Sequence, residues 1–412
     1  MEVIHERCAG IDISKIDVKV CIRVPGRGRQ RRKEVRTFST MTNDLLAMRD
    51  WLIAERITVA GMEATGCYWK PVFYLLEEHM DTWLLNARHM RNVPGRKTDV
   101  KDSEWIARLV EHGLVRPSFV PPEPIRHLRD LTRYRTELVR EHTREAQRLE
   151  KLLEDAGIKL SVVVTNILGV SGRDMLAALI QGERDPRVLA DLAIGRMRGK
   201  TDELIEALTG QFAEHHAFMT RRMLHRIDEL DADIDAISAR IDADLEPFRR
   251  QIELLITIPG VDRRVAEVLT AEIGADMTCF PTAEDLASWA ALCPGNNESG
   301  GKHKSGRTRH GDPWLKGALG QAAICASRTK STYLAARYRR IAARRGKKRA
   351  IVAVGHTILT SAWHMLTHDV PYQDLGGNYF LERTGRTRQT RRLVSQLTQL
   401  GYHVALNPLE VA

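Results

Sequence analysis

None of the six cysteines stands in a C-x-x-C pair, and no Cys/His cluster has the spacing of zinc ligands. A redox pair and a cysteine-held metal are therefore without support. The mostly apolar neighbours of Cys8, Cys21, Cys67, Cys279, Cys293 and Cys325 predict buried free thiols. No apolar run reaches the roughly 20 residues that a membrane-spanning helix needs. The opening residues, Met1-Glu2-Val3-Ile4-His5-Glu6-Arg7, lack the apolar stretch of a secretory signal. Together these absences predict a cytoplasmic protein with no membrane partner.

What the chain does have is length and positive charge. Its 412 residues, 43% hydrophobic and 28% charged, suit two domains and a connecting element. The net charge of +10 points to an acidic polymer as partner. The charge is also concentrated. Arg337, Arg339, Arg340, Arg344, Arg345, Lys347, Lys348 and Arg349 crowd one stretch, and Lys302, Lys304, Arg307 and Arg309 another. Either run alone reads as a solvated face. Flanking a Gly-rich loop as they do, they point to nucleic acid.

Residues 8–13, 17–24 and 33–39 read as three strands of a meander, turned by Ser14-Lys15 and by Pro25-Gly26-Arg27-Gly28. A helix follows over 43–55, capped by Thr42 or Asn43, then a strand at 57–62 and a helix at 69–79. A strand at 82–86 precedes a helix over 98–112. Prolines 117, 121, 122 and 124 break the chain. Beyond them Met223, Ile227, Leu230, Ile234, Ile237 and Ile241 recur at spacings of 4, 3, 4, 3 and 4. That heptad seam predicts a coiled coil or a long antiparallel hairpin between 125 and 248, with dimerisation or domain spanning as its role. Residues 157–212 read as a partly helical insertion. Further helices are expected at 283–291, 313–328 and 350–366, followed by a polar, basic, less ordered tail.

Four carboxylates have positions that suit chemistry. Asp12 ends the first strand and Glu63 follows the fourth, while Asp99 and Asp102 lie three apart on one predicted helix and share a face. Individually they read as turn caps or helix-start charges. Brought together they would repel unless divalent cations held them, and Mg²⁺ suits such oxygen ligands. Two ions about 3.5–4 Å apart can stabilise both oxygens of a phosphodiester displacement. Lys97 and Thr98 precede the pair, and Arg88, Arg91 and Arg96 are placed to face phosphates.

The segments Gly10-Ile11-Asp12-Ile13-Ser14-Lys15, Met62-Glu63-Ala64-Thr65-Gly66-Cys67-Tyr68 and Lys97-Thr98-Asp99-Val100-Lys101-Asp102 closely resemble the DEDD insertion-sequence transposases of the IS-one-ten type. The resemblance implies an α/β RNase H-like (RuvC-like) N-terminal domain, a long helical or coiled-coil middle and a mostly α C-terminal transposase domain. It implies that Asp12, Glu63, Asp99 and Asp102 are the catalytic, Mg²⁺-binding tetrad. The corresponding boundaries are 1–115, 116–249 and 250–370, with a basic tail at 371–412.

The second half adds two motifs. Ile258-Pro259-Gly260-Val261 reads as a helix-hairpin-helix turn in which Gly260 lets backbone N–H groups approach a phosphate, or as an ordinary helix connection. Residues 293–306 (CPGNNESGGKHKSG) form a Gly-rich, basic loop, either a surface turn or the seat of a serine nucleophile with Lys and Arg to stabilise developing charge. By the same resemblance, Leu292-Cys293-Pro294, Ser299-Gly300, Gly311-Asp312 and Leu315-Lys316 follow the family's order, which makes Ser299 the catalytic residue that joins DNA covalently and Ser305 the fallback. Arg309-His310 departs from the Ser-Lys pair expected there. Lys97, Arg96, Gly260, Lys302, Lys304, Arg307 and Arg309 are the candidate nucleic-acid contacts.

The resemblance further implies an RNA-guided recombinase working in a bacterial cytoplasm at the nucleoid, as a homodimer or homotetramer. Its partners would be donor and target double-stranded DNA and a bridge (guide) RNA. A RuvC-like nuclease without serine chemistry and a non-catalytic nucleic-acid-binding protein are the alternatives. A sugar-kinase-like ATPase would need Gly-rich phosphate motifs in a second matching half, and none is found.

Overall fold

A computed structural model describes residues 2–28, 30–64, 66–87, 90, 102–294, 298–300, 302–303, 308–383 and 386–406. The chain divides into two compact units, Met1–Val120 and Pro121–Ala412, with the division inside the proline-rich break.

The first unit is built on a five-stranded sheet. Strands β1 (Cys8–Ile13), β2 (Asp17–Pro25) and β3 (Arg31–Ser39) form an antiparallel meander, and β4 (Val59–Glu63) and β5 (Asp81–Leu85) run parallel to β1. Their order across the sheet is β3-β2-β1-β4-β5. β1 and β4 are apolar without alternation because both faces are covered. On one face α1 (Thr42–Ala54) and α2 (Trp69–Leu76) bury Met48, Leu52 and Leu76 against Ile11, Ile22 and Met62. On the other face α3 (Asp102–Glu111) buries Trp105, Ile106, Leu109 and Val110 against Cys8, Val59 and Leu85. β3, rich in Arg and Lys, forms the edge, where charge discourages pairing with another sheet. The α1 N-cap is Met41 with no side-chain cap bond, so neither Thr42 nor Asn43 plays that part.

The second unit begins with α4 (Glu123–Asp155), continues through α5 (Leu160–Val163), α6 (Val170–Gln181), α7 (Pro186–Asp191) and α8 (Thr201–Leu208), and returns along α9 (Glu214–Asp244). Asp155 meets His216 at 3.3 Å and His142 meets Asp231 at 3.3 Å, so α4 and α9 are antiparallel. The heptad seam is consumed inside this hairpin. Ile227, Leu230, Ile234 and Ile241 are buried, and Leu138 of α4 packs on Leu230 and Ile234. The role of joining protomers through this seam is therefore corrected: its apolar side chains already have an intrachain partner. Residues 157–212 form a helical cap on the hairpin, closing a core of Leu149, Leu153, Leu176, Leu189, Leu204 and Phe212.

Next come α10 (Arg249–Leu255), α11 (Arg263–Ile273), α12 (Ala283–Trp289), and the two-residue strands β6 (Glu298–Ser299) and β7 (Lys302–His303). Then follow α13 (Pro313–Ser327), α14 (Tyr333–Arg345), α15 (Lys347–His368), α16 (Tyr379–Arg383) and α17 (Arg386–Gln399). The tail thus contains helix where a less ordered segment was expected. α15 is long and apolar enough to cross a membrane by length and composition, although its buried side chains pack against α12, α13 and α14. All six cysteines are free, as expected, yet only Cys8 and Cys21 are buried, and burial pushes their thiols up to about 12 and about 11. Cys67, Cys279 and Cys325 are exposed, so apolar neighbours in sequence overstated their burial.

Candidate catalytic sites

Strand alternation decides which residues can face α3. In β1, Ala9, Ile11 and Ile13 belong to the core under α1 and α2, so Cys8, Gly10 and Asp12 point the other way. In β4, Ala60 and Met62 belong to that same core, which directs Val59, Gly61 and Glu63 towards α3. The parallel register pairs Gly10 with Gly61 and Ile11 with Met62, so one step further Asp12 lies beside Glu63 at the C-terminal ends of two adjacent strands.

The two paired glycines set how closely α3 can approach. A Cβ on Gly10 would fall within the backbone of Ser103 and Ala107, and one on Gly61 would stand 2.6 Å from Val110 Cγ2. With neither present, α3 lies directly on the strands and its first residue, Asp102, comes up beside Asp12. Burial first, and then the neighbouring Asp102 charge, raise the Asp12 carboxyl above its usual range, while Lys19 opposes them. Two acids whose charges disfavour one another, with a third at the adjoining strand end, form a donor set of the chemistry that suits a hard divalent cation. Among the described residues no group of three metal-ligating side chains converges closely enough to hold an ion. The fourth acid, Asp99, lies outside the described residues, as do Arg88, Arg91, Arg96, Lys97 and Thr98.

Glu111, on the same helix, shows what a structural acid looks like here. It is fully buried and bonded by Arg23 Nε and Arg31 Nε at 2.7 Å each. Among the described residues Asp12 has no such arginine partner.

Gly10→Ala is expected to destabilise the first unit by about 1–3 kcal/mol, because backbone rather than a flexible side chain must yield. Thermal unfolding followed by circular dichroism checks this. An unchanged melting temperature would mean that α3 is not seated on Gly10.

In the second unit the backbone of Ser299 lies in β6, paired with Lys302 of β7 in a small antiparallel ladder. Lys304, Ser305 and Arg307 lie outside the described residues. The base of this loop is fastened on several sides. Pro294 bridges Thr308, and Arg309 donates to Ser288 O at 2.7 Å and to Ser288 Oγ at 3.1 Å. Lys316 Nζ donates to the carbonyls of Arg309 and His310, and burial followed by the Arg309 charge lowers its proton affinity. Gly311, at φ +64°, packs 2.5 Å from Ala291 Cβ by its implied Cβ, a place where only glycine fits.

Asp312 then caps α13, accepting from Trp314 N and Leu315 N, and is gripped by Arg133 at 2.9 Å. Arg133 also meets Glu272 at 2.7 Å, and Arg135 meets Glu267 at 2.6 Å, tying α4 to α11. Nothing in the spacing of these arginines reveals that α11 supplies buried acids.

Gly260 has a packing reason of its own. At φ +90° its implied Cβ would meet Ala322 O and Ala326 N of α13 at 2.5 Å. The N-terminus of α11 just beyond is capped by Asp262, whose carboxylate accepts from Val265 N at 2.8 Å. The Asp262 carboxylate thus takes one of the free N–H groups at that helix start.

Residues 9–158 match a family model described as "Transposase". Residues 252–339 match that described as "Transposase IS116/IS110/IS902 family". The chain is 41% identical over 85 residues to the insertion element IS110 uncharacterized 43.6 kDa protein of Streptomyces coelicolor, an alignment that spans 20% of each chain. It is 27% identical over 300 residues to the insertion element IS900 uncharacterized 42 kDa protein of Mycobacterium paratuberculosis, covering 67% of this chain and 73% of that one.

Proposed function

Given a chain that carries, in order, both transposase domains of the IS116/IS110/IS902 family, we propose that it is an insertion-sequence transposase acting as a DNA recombinase. It would work at the bacterial nucleoid as a homodimer or homotetramer, guided to donor and target DNA by a bridge RNA. The observation that carries the reading is the placement of Asp12 and Glu63 at adjoining parallel strand ends, with α3 bringing Asp102 to Asp12. The sheet order β3-β2-β1-β4-β5, with its antiparallel meander, supports an RNase H-like (RuvC-like) domain.

Asp12, Glu63 and Asp102, together with Asp99, are the residues that would hold Mg²⁺. Bound there, the cation would stabilise the attacking and leaving oxygens of a phosphodiester exchange. Ser299 Oγ forms a new bond to phosphorus as the strand's own ester oxygen departs, and the serine proton goes to that leaving hydroxyl. Attack by the hydroxyl of another strand then reverses the step and frees the serine. One ester bond is traded for another, so no nucleotide cofactor is required. The fastening at the loop's base, Pro294 to Thr308 and Arg309 to Ser288, supports this use by bringing the two ends of the segment together.

The test supplies purified protein with Mg²⁺, RNA transcribed from DNA flanking its gene, and labelled donor and target DNA. Joined strands are expected, and chelation of the metal is expected to remove them. Cut strands that are never joined would favour the RuvC-like nuclease.

A further inference from the structure

Between Asp312 and Asp369 the chain contains no acidic residue but 11 Lys and Arg, one more than the net charge of the whole protein. The structure gathers five of them at the corner where α14 ends and α15 begins. Arg344, Arg345, Lys347, Lys348 and Arg349 are all exposed there, around Gly346. Among the described residues none of these five side chains makes a hydrogen bond or ion pair. Three of the five occupy the first turn of α15, the positive end of its dipole, where cations cost stability. Those three gain the fold nothing there, while Arg344 and Arg345 in the last turn of α14 are weakly favoured by its dipole, so the five together add little to stability.

We propose that this corner is a docking surface for the sugar-phosphate backbone of duplex DNA, separate from the Ser299 loop, and that it serves the recombinase reading given above. Arg339 extends the surface along α14. It stands about 9 Å from Arg345 along the helix axis, close to three axial steps of about 3.4 Å along one DNA strand. Beside it a hollow of about 530 Å³ is lined by Arg328, Lys330, Arg339 and Asn378, donors suited to a phosphate. Arg337 of the same helix keeps its Nε buried without an acceptor, so positive charge is unrelieved beneath the surface as well.

Three features favour a duplex over other occupants. Tyr333, Tyr379 and Phe380 at one end of α14 are packed on one another, with ring centroids 5.1–5.3 Å apart. They leave no open platform for the base stacking on which single-strand binding depends. No large apolar side chain is exposed between residues 333 and 349, so the corner offers nothing to insert into a lipid surface. Paired bases in a duplex need only charge at the backbone, and that is what the corner presents.

The experiment measures binding of the full chain to a fluorescent random-sequence DNA duplex across a salt series. It compares wild type with Arg344→Ala/Arg345→Ala/Lys347→Ala/Lys348→Ala/Arg349→Ala, and with the charge-preserving Arg344→Lys/Arg345→Lys/Arg349→Lys. The alanine variant is expected to bind at least about tenfold more weakly near 0.1 M salt. The slope of log affinity against log salt should shrink by about 0.9 for each phosphate that is no longer neutralised. The lysine variant should keep the wild-type slope, and both should keep the wild-type melting temperature.

Wild-type binding with an unchanged slope in the alanine variant overturns the surface and leaves the transposase reading standing. A wild type that binds no duplex at all overturns both. If the alanine variant loses affinity for a matching RNA duplex while retaining its DNA slope, the occupant is RNA and the proposal fails.

Discussion

Asp12→Asn is expected to reduce strand cleavage about a hundred- to a thousandfold, the scale of losing one preorganised electrostatic group from an active site. The fold should survive, because the carboxylate is not a structural partner like Glu111. In the metal-free protein the direction of the stability change also follows. The folded-state pKa of Asp12 lies above its unfolded value, so the folded chain holds the extra proton between the two. The stabilisation this gives is present below the unfolded pKa and is lost as pH rises through the folded one. Asn removes the titration, so the variant's melting temperature should vary less with pH across that window. Mg²⁺ should raise the melting temperature of wild type at neutral pH more than that of Asp12→Asn. Undiminished cleavage by the variant, monitored on labelled duplexes with Mg²⁺, would remove Asp12 from the site.

Much of the first unit was legible because its strands are short, apolar and separated by strong turn signals. The strand reading at 8–13 coincides with β1, and those at 17–24 and 82–86 are off by one residue from β2 and β5. The strand-end positions of Asp12 and Glu63 were legible too, but the face they share follows from the observed core and register. What could not be read is why Asp102 comes near Asp12. That rests on Gly10 and Gly61 being opposite one another, a consequence of parallel register between segments about 50 residues apart.

In the second unit the 4-3 spacing of Ile and Leu announced the long helix, but the same pattern serves an intrachain and an intermolecular seam equally well. The choice depended on the apolar stripe of α4, whose Leu138, Leu149 and Leu153 supply the partner. Residues 157–212 resisted reading because four short helices share one core and none has an apolar face long enough to show a period. Gly260 was visible as a turn residue. That its Cα lies against α13 depends on a contact more than 60 residues away.

On the proposed function, one chain combines an acidic metal site with a serine that carries the broken strand. Covalent trapping tests it most directly. Wild type and Ser299→Ala are each incubated with Mg²⁺, RNA from the flanking DNA and labelled donor and target duplexes, quenched in denaturant, and run on a denaturing gel. Label migrating with the wild-type protein and absent from Ser299→Ala is the predicted result, with the mutant's melting temperature unchanged. Equal cleavage by both proteins, with no label attached to either, would contradict it and leave a nuclease that cuts by metal-activated water.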